Sequence, residues 1–197
     1  MLFQQNAPML STALNSINDA QPGTSFTSPT GGQSFAGIVG QCYQLSNAGA
    51  QAQSSNLWGG VYQYVLFAAG TVQAAARGQV MFYDTLALAK AYTVTPTPPT
   101  TVSQIAGIAL NAVSKGNYGW IQIAGLATVL CKTSVTDTTL GDIGFVLSET
   151  VGKVDANTPA SATAAQQALK IGIFMEAPVS AALKLLWISP ALFYNCY

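Results

Sequence analysis

The chain contains no histidine. That absence removes the commonest general base, the commonest metal ligand and every Ser-His or Cys-His nucleophile scheme. Charge is scarce too: seven basic and seven acidic residues make up 7% of the 197 and cancel, where soluble domains average about 25% charged. A polyphosphate backbone needs a clustered Lys/Arg face, so no direct nucleic-acid partner is expected. The apolar runs are short. The longest candidate, Leu183 to Tyr194, is broken by Lys184, Ser189 and Pro190, well under the roughly 18 residues of a membrane span, so no membrane partner is expected. Met1 to Leu14 lacks the basic start and continuous apolar stretch of a secretory signal, which leads us to expect folding where the chain is made. The cysteines, Cys42, Cys131 and Cys196, are odd in number and far apart, and read as reduced thiols rather than a disulfide framework or metal set.

What is present is apolar: 50% of the residues are hydrophobic. Disorder of the whole chain is thereby excluded, and a surface this poor in ions favours association. Residues 1–59 are rich in Gln, Asn, Ser, Thr, Gly and Ala and carry one charge, Asp19. They read as an extended N-terminal arm with Leu2, Phe3, Phe26 and Phe35 as isolated apolar anchors for a partner surface. Met9 to Ile17 is a candidate short helix and Ile38 to Leu45 a candidate strand.

Residues 60–197 read as the body. Runs of β-branched and aromatic residues predict strands at Val61–Phe67, Gly78–Asp84, Ala91–Thr95, Ile105–Ala112, Tyr118–Ala124, Leu126–Lys132, Ile143–Leu147, Lys170–Glu176 and Leu183–Ser189, with turns such as Ser114-Lys115-Gly116-Asn117 between them. Ala160 to Leu169 is the one helical stretch predicted in the body, after Asn157-Thr158-Pro159. The expected fold is therefore mainly β: a small antiparallel β-barrel or sandwich with a long extended N-terminal arm and one short helical insertion. A weak internal echo is visible, Ala106-Gly107-Ile108 and Ile171-Gly172-Ile173, each followed by a strand with a tryptophan, Trp120 and Trp187.

Motifs that carry chemistry are missing. Val151-Gly152-Lys153-Val154 has no glycine five positions before Gly152 and no hydroxyl residue after Lys153, so the phosphate-binding loop pattern fails. No spaced cysteine, histidine or aspartate set suggests a metal, and no cofactor is expected. Asp137 and Asp142 are the closest carboxylate pair, on a turn where aspartate usually accepts local backbone hydrogen bonds. The ring-bearing residues Tyr118 and Trp120 read as core or as oligomer contacts, with a carbohydrate platform as the alternative. Phe193 and Tyr194, in the apolar C-terminal tail, read as further oligomer contacts.

The stretch Val102 to Val113, followed by Gly116-Asn117-Tyr118-Gly119-Trp120-Ile121-Gln122-Ile123-Ala124-Gly125, with the upstream Ala69-Gly70-Thr71-Val72 and Gly78-Gln79-Val80, resembles the head decoration, or cement, proteins of tailed bacteriophages. The resemblance covers roughly residues 60–149. It implies a structural virion protein without an active site, bound as a homo-oligomer, a trimer ahead of a dimer, to the major capsid protein on the outside of an icosahedral head. It also implies synthesis in the host cytoplasm. Another virion component, such as a tail tube, fibre base or coat subunit, or a carbohydrate-binding adhesion module, is the alternative.

Overall fold

The computed structural model describes residues 40, 42–53, 57–68, 74–83, 92–98, 105–146, 151–163 and 170–188. The chain is mainly β, with ten strands and one short helix among these residues: β1 (Cys42–Leu45), α1 (Asn47–Gln53), β2 (Gly60–Phe67), β3 (Val80–Tyr83), β4 (Thr93–Thr95), β5 (Ile105–Ala109), β6 (Tyr118–Leu130), β7 (Ile143–Phe145), β8 (Asp155–Asn157), β9 (Lys170–Phe174) and β10 (Leu183–Ile188). All ten belong to one sheet of order β1-β2-β4-β3-β5-β6-β10-β9-β7-β8.

That sheet curls into two rings. Pairing of β2 with β6 closes the first, β2-β4-β3-β5-β6, into a five-stranded barrel. The second, β6-β10-β9-β7-β8, returns to β6 through a parallel bridge between Cys131 and Val154, held by Lys132 N–H to Val154 C=O and Val154 N–H to Leu130 C=O, both 2.9 Å. Strand β6, 13 residues long, is the last strand of one ring and the first of the next. Closing the sheet on itself leaves few strand edges bare.

The two rings have the same topology strand for strand. In each, the first and third strands run parallel, Phe67 beside Val94 and Cys131 beside Val154, and every other adjacent pair is antiparallel. The register agrees residue by residue. Val80, Met81 and Phe82 face Ile108, Gly107 and Ile105, as Ile143, Gly144 and Phe145 face Ile173, Gly172 and Lys170, and a bulge follows the central residue in both. The corners agree as well. Gly78 (φ 79°) donates to Ala109 C=O at 2.8 Å and its counterpart Gly141 (φ 89°) to Phe174 C=O at 3.1 Å. The side chain of Gln79 accepts from Ala76 N–H at 2.7 Å, and that of Asp142 from Thr139 N–H at 2.9 Å.

The echo between Gly107 and Gly172 therefore marks a true structural repeat, for a steric reason. A Cβ on Gly107 would stand 2.7 Å from the Gln122 carbonyl oxygen, and one on Gly172 2.0 Å from that of Trp187; Gln122 and Trp187 occupy equivalent places, opposite Ile108 and Ile173. The tryptophan half of the echo is out of register, because the counterpart of Trp120 is Leu185: Leu110 N–H donates to Trp120 C=O as Met175 N–H donates to Leu185 C=O.

Strand alternation builds the core. Val65, Phe67, Met81, Val94, Ile121 and Ile123 fill the first ring. Their counterparts, including Val129, Cys131, Val154, Leu186 and Ile188, fill the second, joined there by Val80, Phe82, Ile105 and Ile108 from the first ring's β3 and β5. The alternate residues of those two strands thus pack into the neighbouring ring, and the pair forms one continuous body.

Several expectations are corrected here. Residues 42–53 and Leu57, assigned to the arm by composition, pack with the body: β1 pairs with β2, and Ala50 and Leu57 are buried. The helix expected over 160–169 is turn and irregular backbone at 160–163, and 164–169 lie outside the described residues. The strands expected at Tyr118–Ala124 and Leu126–Lys132 are one strand, continuing through Gly125 at φ 95°. The candidate helix Met9 to Ile17 lies outside the described residues.

Candidate functional site

Sequence placed the carboxylates Asp137 and Asp142 nearest to chemistry, and the structure gives both local work. Asp137, half-buried, accepts from the Thr139 hydroxyl at 2.9 Å and from Thr138 N–H at 2.7 Å, and these bonds hold its pKa below the ordinary value. Asp142, 1% exposed, takes the place that Gln79 holds in the first ring, and burial raises its pKa. Both ends of the pair are tied to the turn they flank.

Among the described residues, the ion pair with a buried carboxylate is equally structural. Asp155, 1% exposed, pairs with Lys132 and accepts from Thr136 N–H, the Thr136 hydroxyl and Ala156 N–H at 2.8, 2.9 and 2.8 Å. It fastens the 132–137 segment to β8. Tyr83, its pKa pushed up to about 12 by burial and by neighbouring Tyr92, stays a neutral donor to Gln63 Oε1 at 2.9 Å. Cys131 is free, buried, and has its thiol pKa raised by burial, which keeps it unreactive. Cys42, in contrast, is disulfide-bonded, so the expectation of reduced thiols holds at Cys131 and fails at Cys42; its partner lies outside the described residues.

Among the described residues no three His, Cys, Asp or Glu side chains come together to hold a metal, and no helix is long and apolar enough to cross a membrane. A small cavity lined by Leu57, Arg77, Ala109, Leu110, Gln122 and Thr128 has room for about one water molecule.

The rings differ most on their outer faces. On the first, Ala50, Leu57, Tyr62, Tyr64, Leu110 and Trp120 form one buried cluster, with Leu45 and Tyr118 at its edge. Trp120 meets the Tyr64 ring at 5.2 Å between centroids, and Tyr64 stacks on Tyr118 at 6.0 Å. Leu45, Ala50 and Leu57 form the lid. Asn47 Oδ1 accepts from Gly59 N–H at 2.7 Å, and the Tyr62 hydroxyl donates to Trp58 C=O. Burial raises the Tyr62 pKa, so its hydroxyl remains a donor.

On the second ring the equivalent residues are Leu126, Thr128, Met175, Leu183, Leu185 and Trp187; Leu126, Thr128 and Leu185 are half-buried, and Met175, Leu183 and Trp187 are exposed. Trp187 lies directly opposite Ile173 on β9 and Leu126 on β6. Ile173, Met175, Leu183 and Trp187 are 41%, 52%, 39% and 51% exposed. With Leu140 and Val179 they are the exposed large hydrophobic residues among the described residues, all in the second ring or its loops. At the rim, Glu176 accepts from Leu185 N–H at 2.6 Å and pairs with Lys184 at 3.5 Å, so the charge there is balanced. This apolar face is the candidate functional site. Its signal in the sequence was the alternation Leu183-Leu185-Trp187, which reads equally as core.

Of the residues singled out from sequence, Trp120 is fully buried within the monomer and has no surface to give to a neighbour or a sugar. Tyr118 is half-buried against Tyr64. Leu2, Phe3, Phe26, Phe35, Phe193 and Tyr194 lie outside the described residues. No protein-family model matches the chain, and no curated protein matches it.

Proposed function

We propose that this protein is a structural subunit of a virion that binds the outer surface of an icosahedral phage head and stabilises the shell. The reading is supported by the likeness of residues 60–149 to head decoration proteins and by a chain with 7% charged residues and no net charge. The observation that carries it is the apolar face on β9 and β10, whose equivalent on the first ring is roofed. Exposed apolar patches of this kind mark surfaces meant for other macromolecules, and a repeated shell multiplies a modest contact into strong retention. In this reading Leu2, Phe3, Phe26 and Phe35 contact the major capsid protein, the subunit is a homo-oligomer on the capsid exterior, and it is made in the host cytoplasm. It performs no catalysis and needs no cofactor.

The test is the heat and chelator resistance of particles carrying the full chain, no copy of it, or a version beginning at Gly40. The truncation stops there because β1 pairs with β2 and Ala50 and Leu57 pack against the first ring. Lower resistance in the second and third particles supports the reading, and equal resistance in all three removes it. Copy number per particle separates a decoration subunit from a tail-tube, fibre-base or coat component. A carbohydrate platform at Tyr118 and Trp120 has lost its main ring to the core.

A further inference from the structure

The repeat itself indicates what the open face is for. In the first ring two things hide the outer surface: Ala50 and Leu57, which precede its first strand, roof Trp120 and Leu110, and the second ring takes Val80, Phe82 and Ile108. Among the described residues the second ring has no counterpart of that lid, and although Ile143 and Phe145, the counterparts of Val80 and Phe82, are buried, Ile173, the counterpart of Ile108, is 41% exposed. Its first strand is β6, and what precedes β6 in the chain is the first ring, so no lid segment is available in that position. No third ring follows β10 among the described residues to bury Ile173 as the second buries Ile108. Sharing one strand between two barrels leaves the later barrel with an uncapped side, the familiar liability of a repeat array's end.

The occupant must match a face that is apolar and whose rim charge cancels. We infer that the occupant is a second copy of this chain, presenting the same face, so that β9 and β10 of two subunits pack sheet against sheet about a twofold axis, with Trp187, Ile173, Met175 and Leu185 at the centre. This rests on reading that face as an assembly surface, and it sets a twofold pairing in place of the trimer implied by the resemblance. Three observations favour it. The complementary apolar surface on the described part of the chain is this face itself, because the exposed large hydrophobics all lie in the second ring and its loops. A head-to-tail contact has no receiving site on the first ring, whose equivalent face is already roofed by Ala50 and Leu57, so self-complementary pairing is what remains. The chain carries no net charge, and the Lys184–Glu176 pair neutralises the rim, so two copies approach without repulsion. Burying these side chains on both copies removes on the order of 1,000 Å² from solvent, near the lower bound for a specific interface.

The experiment is the solution mass of the full-length protein by light scattering across about 1 to 100 µM, together with tryptophan emission. The wild type is expected to reach twice the chain mass as concentration rises, with a blue shift of the emission. Trp187→Asp and, separately, Met175→Lys are expected to remain at the single-chain mass, with association weakened by at least about tenfold and unfolding midpoints close to the wild type. Met175→Lys keeps the test open should Trp187→Asp fold poorly. A wild type that stays single at 100 µM, or variants that pair as tightly as it does, overturns the inference. A single-chain wild type whose Trp187 is shielded from a soluble quencher also overturns it, since the chain then covers its own face. No capsid enters these measurements: absence of pairing leaves the head-binding test standing, and pairing without head binding leaves this inference standing.

Discussion

The two rings share their strand order, their parallel pair, a bulge after the second residue of β3 and β7, and a left-handed glycine at the same corner, yet the outer face of one is closed over and that of the other exposes Ile173, Met175, Leu183 and Trp187. In the first, a large aromatic cluster around Trp120 sits under a lid. In the second, Leu185 stands at that place, and the tryptophan has moved to the position of Gln122, where it faces solvent. Gln122 in the first ring is buried and donates to the Ala124 and Leu126 carbonyls at 3.2 and 2.9 Å, which ties β6 to itself where one barrel hands over to the next. The same backbone thus carries a sealing residue in one copy and a contact residue in the other. A repeated fold fixes where side chains point; the residue chosen at each equivalent point decides whether that place is interior, junction or interface.

The comparison can be broken most severely at Asp155, whose counterpart in the first ring is the uncharged Thr95. Asp155→Ala leaves the ammonium of Lys132 without its partner and three donors unmatched, and is expected to lower unfolding free energy by about 3–4 kcal/mol. Denaturant unfolding measures it, and Thr95→Ala should cost far less.

Next comes Gly172→Ala. The new methyl would meet the Trp187 carbonyl oxygen at 2.0 Å, which is backbone and cannot step aside, whereas a Cβ on Gly141 meets nothing within 4 Å. A loss of about 2–3 kcal/mol is expected at Gly172, and about 1 kcal/mol at Gly141, where the positive φ alone is at stake. Equal costs would mean the close approach of β9 and β10 is not the reason for the glycine.

Leu57→Ala opens the lid of the first ring. Leu57 is 4% exposed and packs with Trp120 and Tyr62, so about 2–3 kcal/mol should be lost, with Trp120 emission shifted to the red. Met175→Ala, at a position equivalent to Leu110 but 52% exposed, should change the dissociated monomer by no more than about 0.5 kcal/mol.

The smallest effect is a matter of pH. Burial raises the folded pKa of Asp142, so the native state binds this proton more tightly than the unfolded chain does. That contribution is fully present at acid pH and is lost as pH rises through the folded pKa. Asp137 has the opposite sign: its folded pKa is lowered, and its contribution is present above the unfolded pKa and lost in acid. Asp142→Asn keeps an acceptor for Thr139 N–H, and is expected to match or exceed wild-type stability at neutral pH and to fall below it in strong acid. Unfolding midpoints at several pH values check the crossover, and no comparable pH dependence is expected for Gln79→Asn.

Most strands were readable because each is a local signal. Val61–Phe67, Ile143–Leu147 and Leu183–Ser189 are β-branched or aromatic runs bounded by turn residues, and strands form within them. Strand β8, Asp155-Ala156-Asn157, was not readable: none of its residues favours a strand, and it is held there by the parallel bridge at Val154 and by β7. Helix α1, Asn47 to Gln53, was hidden for a similar reason. Its small polar sequence has no apolar stripe, and Ala50 becomes core through packing against the outside of a barrel. The open face shows the same limit from the other side, since Leu183, Leu185 and Trp187 alternate as core residues do.

By itself, then, the sequence determined the β character, most strand positions, the glycine echo at 107 and 172, and the scarcity of ionic groups, because each depends on neighbours along the chain or on composition. Tertiary structure decided that the echo is a second barrel, that one long strand serves both, and that Trp120 is sealed while Trp187 is bare. Those outcomes depend on which distant segment arrives to cover a face, and a strand's own residues carry no record of that.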